Sequence, residues 1–74
     1  MHSEGAMKIG SCIIHYSVKY YDGSSVYGID EGRISKLTLK QGSKFLANYD
    51  RGWDMKPETY EAKAALAILM KEYN

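Results

Sequence analysis

Apolar and polar residues alternate along most of the chain, and glycine interrupts the alternation at short intervals. A period of two is that of β-strands, whose successive side chains face opposite sides of a sheet. The first strand is predicted over His2 to Ile9, with Met7 and Ile9 on one face, and Gly10-Ser11 suits a two-residue hairpin turn. In "CIIHYSVKY" Cys12, Ile14, Tyr16, Val18 and Tyr20 share the face predicted to be internal, while Ile13, His15, Ser17 and Lys19 share the other. "YDGSS" supplies a turn through Asp22-Gly23, and a third strand is predicted over about Ser25 to Asp30. After "DEGR" a fourth strand is expected from Arg33 to Lys40, but its apolar residues stand at Ile34, Leu37 and Leu39, so the parity slips. A bulge near Ser35 and Lys36 would point both Ile34 and Leu37 inward. "QGSK" then turns the chain into a strand from Lys44 to Asp50, with Phe45, Ala47 and Tyr49 assigned to the inner face and Leu46 to the outer.

The period changes after "RGWDMK". Ala62, Ala65, Leu66, Leu69, Met70 and Tyr73 fall at helical spacing and form one stripe, which predicts a helix from about Pro57 to Tyr73. Glu58 and Glu61 near its start and Lys71 near its end complement the helix dipole. The fold class expected is α+β: one domain over residues 1–74, an antiparallel meander of four or five strands with the helix packed on one face. The expected core is Cys12, Ile14, Tyr16, Val18, Leu37, Leu39, Phe45, Leu66 and Leu69. Tyr60, Ala64, Ala67 and Ile68 make a second apolar stripe where a monomeric surface helix would carry charge, so it is expected to be an oligomer or partner interface, most simply in a symmetric dimer.

Between sheet and helix lies "NYDRGWDMKP", which contains the only Trp and the only Pro of the chain. Its first reading is a corner: Asp50 and Arg51 end a strand, Gly52 allows a left-handed bend, and Trp53 tucks beneath the helix. Its second is a binding patch, in which Arg51 and Arg33, the only two arginines, meet Lys36, Asp50 and Asp54. Arginine forks suit carboxylates and phosphates. Tyr27 joins this candidate set, because the tyrosines are too many for a small core and an exposed tyrosine suits a contact surface.

Composition narrows the remaining choices. Ten Lys and Arg against nine Asp and Glu give a net charge of +1, which argues against a nucleic-acid partner. Cys12 is the only cysteine, so a reducing, cytoplasmic setting is expected and no intramolecular disulfide forms. No run approaches the ~20 apolar residues of a membrane span, and no membrane association is expected. His2, His15 and Cys12 do not assemble a metal site, Cys12 and His15 point to opposite faces of one strand, and "GIDEGR" joins strands instead of opening a helix, so no catalytic residue, metal or cofactor is assigned.

"EG" at Glu4-Gly5, "YGIDEGRISKL" at Tyr27 to Leu37, "YDRGWD" at Tyr49 to Asp54 and the terminal "ILMKEYN" resemble a family of short uncharacterised proteins from Firmicutes and their phages and mobile elements. The resemblance spans nearly the whole chain and carries a domain-of-unknown-function label, with no catalytic residues to transfer. It implies a phage or mobile-element accessory factor. Two non-catalytic functions follow as expectations, ahead of a small enzyme as the third: an inhibitor that docks on a host defence protein, or, alternatively, an oligomeric sponge for an anionic, nucleotide-like signal molecule held by Arg33, Lys36 and Arg51. The partners expected are therefore a host protein or a second copy of the chain, with an anionic small molecule as the alternative.

Overall fold

A computed structural model describes all 74 residues. In chain order the elements are β1 (His2–Ile9), β2 (Cys12–Tyr20), a single 3-10 turn (Ile29–Glu31), β3 (Ile34–Gln41), β4 (Lys44–Asp50), β5 (Trp53–Met55) and α1 (Tyr60–Tyr73). The strands form one antiparallel sheet in the order β1-β2-β3-β4-β5, so each strand lies beside its neighbour in sequence. This is the α+β meander with a carboxy-terminal helix that the hydrophobic pattern predicts. Gly10 and Gly42 open the two tight hairpins with φ of 60° each, a conformation in which any side chain would be strained.

The inner face of the sheet is apolar. Ile14, Val18, Ile34, Leu37, Leu39 and Ala47 are wholly buried, and α1 closes over them with Ala62, Ala65 and Leu69. The rest of the predicted helical stripe, Leu66, Met70 and Tyr73, packs around the margin. Cys12 and Tyr16 are also marginal and half-buried, not central. The bulge expected near Ser35 is present: Lys19 pairs with Lys36 and Tyr20 with Ile34, leaving Ser35 as the extra residue. Ile34 and Leu37 consequently both face inward.

Several expectations are corrected. Ser25 to Asp30 is not a strand, because Asp30 and Glu31 take left-handed φ of 51° and 58° and turn the chain so that Ile29, only 2% exposed, plugs the core. The fifth strand is instead Trp53–Met55, beyond the corner. Phe45 and Leu46 exchange faces: Leu39 pairs with Ala47 but Lys40 with Phe45, so the bulge at Leu46 sends that leucine inward and leaves Phe45 half exposed under the Lys40 ammonium, 4.9 Å from the ring centroid. The helix begins later than Pro57, at Tyr60, because Thr59 is the cap whose hydroxyl accepts from the Ala62 N–H at 3.1 Å. The left-handed residue of the corner is Arg51, with φ of 59°, not Gly52. Trp53 belongs to β5 and meets Tyr49 edge-on at 5.0 Å.

Candidate functional site

The Ser35 bulge and the Arg51 turn are stitched to each other and to the end of β2. The Ser35 hydroxyl donates to the Lys19 carbonyl at 3.3 Å, and the Arg51 N–H donates to the Ser35 carbonyl at 3.1 Å. Above them runs the loop between β2 and β3, held from below by the Tyr49 hydroxyl, which donates to the Tyr27 carbonyl at 2.8 Å. The Tyr27 N–H donates in turn to Ser25 Oγ at 3.1 Å. Beside these bonds lies a recess of about 210 Å³, lined by Lys19, Tyr21, Ser25, Tyr27, Ser35, Lys36 and Arg51.

The lining is cationic and aromatic. Lys19 lies over the Tyr21 ring at 5.7 Å and Arg51 over the Tyr27 ring at 5.9 Å, so two of the cations rest on tyrosine faces. Lys19 and Lys36 stand directly opposite each other across β2 and β3. Like charges so placed destabilise a sheet, and an anion between them would relieve the repulsion. No carboxylate lines the recess. Beside it Asp50 balances part of the charge, its carboxylate 3.9 Å from Lys36 Nζ in an exposed pair of small energetic weight.

Of the residues singled out from the sequence, Tyr27, Lys36 and Arg51 come together here, with Asp50 beside them. Asp54 turns instead to Asn48, accepting from its amide at 3.4 Å. Arg33 does not line the recess. Its guanidinium lies over the Tyr20 ring at 5.9 Å, and that ring packs at 4.8 Å against Tyr73 of the helix. Lys19, Tyr21, Ser25 and Ser35 join Tyr27, Lys36 and Arg51 in the lining from outside the candidate set. The signal for Lys19 was available, since the Ser35 bulge fixes Lys36 on the same outer face as Lys19.

The second helical stripe is open to solvent, with Tyr60 78% and Ile68 49% exposed, Ala67 exposed and Ala64 half-buried. No helix is long and apolar enough to cross a membrane. A broader depression of about 520 Å³ lies on the sheet face that α1 leaves bare, over Glu4, Ala6, His15, Ser17, Thr38 and Lys40. Its charges are mixed and its walls low, so it focuses no single chemistry.

A family model described as "Domain of unknown function (DUF7678)" matches residues 1–74, and the chain belongs to that family. Neither a curated protein nor a solved structure matches it.

Proposed function

We propose that this member of a domain-of-unknown-function family is a non-catalytic binding protein that docks on a partner protein by gripping an acidic side chain in the recess of Lys19, Lys36 and Arg51. The observation that carries the reading is the convergence of three cations and two tyrosine rings with no carboxylate in the lining. Size favours a side chain over a whole ligand, because 210 Å³ is below the ~300–1,000 Å³ of most small-molecule sites. The tyrosine rim supplies amphipathic contact area around the charge. Given the resemblance to phage and mobile-element proteins, the partner is a host protein in the host cytoplasm, and docking inhibits it. The same cations favour a second reading, sequestration of a phosphate-bearing small molecule, which would need a second copy of the chain to complete the pocket.

The test uses the left-handed backbone of Arg51. Arg51→Gly removes the guanidinium and relieves a φ of 59° that glycine adopts freely, so the fold should keep its melting temperature or gain slightly. Titrating the ¹⁵N-labelled protein with a Glu-rich peptide should move the amides of Lys19, Tyr21, Tyr27 and Arg51. Arg51→Gly should weaken that binding about tenfold, and raised salt should weaken it further. Shifts confined to other residues, or a variant that binds as well as the parent, would refute the assignment. Saturable binding of a nucleoside diphosphate but not of the peptide would favour the second reading.

A further inference from the structure

The two edges of the sheet are built differently. β5 is three residues long and its pairing with β4 is broken by a register shift, both of which blunt an edge. β1 has eight residues, no proline and an unbroken register from His2↔Lys19 to Ile9↔Cys12. Its outer side bonds to no other strand. The Tyr20 N–H donates to the Met1 carbonyl at 2.9 Å, which fixes the alternation: Ser3, Gly5, Met7 and Ile9 bond to β2, and His2, Glu4, Ala6 and Lys8 direct their N–H and C=O groups to the free edge.

We infer that this edge is a self-association surface, where β1 pairs antiparallel with β1 of a second copy about a two-fold axis at Ala6. Charge complementarity selects the occupant and the register. With the axis at Ala6, Glu4 stands opposite Lys8 of the second copy and Lys8 opposite Glu4, on the face bare of helix. Shifting the register by two residues either way sets Lys8 against His2 or Ala6 and loses both ion pairs. The edge-facing groups of Glu4, Ala6 and Lys8 then exchange roughly six backbone hydrogen bonds. On the inner face Met7 of the second copy lands opposite Gly5. A Cβ at Gly5 would sit 2.7 Å from the Tyr16 hydroxyl, so the Tyr16 ring lies over this glycine and offers the incoming thioether an aromatic neighbour. The result is a continuous sheet across two copies. This surface is separate from the recess and does not depend on it.

The test combines sedimentation at high micromolar concentration with amide hydrogen exchange. The wild type should sediment as a reversible dimer, and the amides of Glu4, Ala6 and Lys8 should exchange more slowly as concentration rises. Ala6→Pro removes an edge-facing donor without removing a bond to β2, and should give a monomer. Glu4→Lys sets lysine against lysine and should weaken the dimer about tenfold, whereas adding Lys8→Glu should restore it to within about twofold. The charge swap keeps the test decisive if the proline variant does not fold. Ile68→Glu should leave the dimer intact. A wild type that stays monomeric would overturn the inference, as would edge amides protected only by a different protein, a charge swap without rescue, or a dimer dissolved by Ile68→Glu.

Discussion

Tyr49 joins the sheet to the recess loop. The residue is 7% exposed, its ring meets Trp53 edge-on, and its hydroxyl donates to the Tyr27 carbonyl. Burial first, and the Asp30 carboxylate second, push its pKa up. The unfolded chain therefore loses this proton first, near pH 10, so the stability held in the neutral phenol is complete below that pH and drains away as pH rises toward the folded-state pKa. Tyr49→Phe should cost about 1 kcal/mol at neutral pH. It should also flatten part of the stability decline above about pH 10, as measured by urea unfolding across pH. Asn74 is a second tie: its side chain accepts from the Ile34 N–H at 2.9 Å and donates to the Ile29 carbonyl at 3.0 Å, filling the space that a Cβ at Gly32 would need. Asn74→Ala strands both backbone groups and should cost about 1–3 kcal/mol by the same assay. Neither tie was legible in the sequence, because each is a long-range bond. The left-handed Arg51 was hidden for the same reason: its N–H is committed to the Ser35 carbonyl, while local preference pointed to the adjacent Gly52.

The helix was the most legible element, because six residues at helical spacing left one face for the sheet. Leu69 is 2% exposed, and Leu69→Ala should cost about 2–5 kcal/mol, against about 0.5–2 kcal/mol for Thr59→Ala at the cap. Equal losses in chemical denaturation would mean that packing does not dominate this helix. The strands were legible where alternation was clean, as in β2, and where it broke visibly, as at Ile34 and Leu37. The Leu46 bulge left no such mark: in "KFLANY" unbroken alternation groups Phe45 with Ala47 and Tyr49, and only the pairing of Lys40 with Phe45 reveals that Leu46 turns inward in its place. Ser25 to Asp30 misled because Val26 and Tyr27 have strand propensity, yet Val26 is 73% and Tyr27 59% exposed, and Ile29 alone reaches the core. Of the candidate site, the basic members near the corner were legible, and the tyrosine and serine wall that the loop brings over them was not.

The whole molecule has a radius of gyration of 11.4 Å, close to the ~11 Å expected for a compact chain of this length. Every strand pairing joins sequence neighbours, which is why the architecture followed from counting turns even where one strand was misplaced. The exception to this locality is the helix, which returns to the first strand: Ser3 Oγ and Tyr73 Oη are 2.8 Å apart. A linker of about four flexible residues could therefore close the backbone into a ring, to be reopened at the exposed Gly42-Ser43 turn. Such a circular permutant should regain the parent circular dichroism and melt within about 5 °C of it, unless β3 and β4 require their covalent link to pair. It would begin at Ser43 and carry α1 directly into β1, so native folding would mean that the order in which these elements are strung is dispensable.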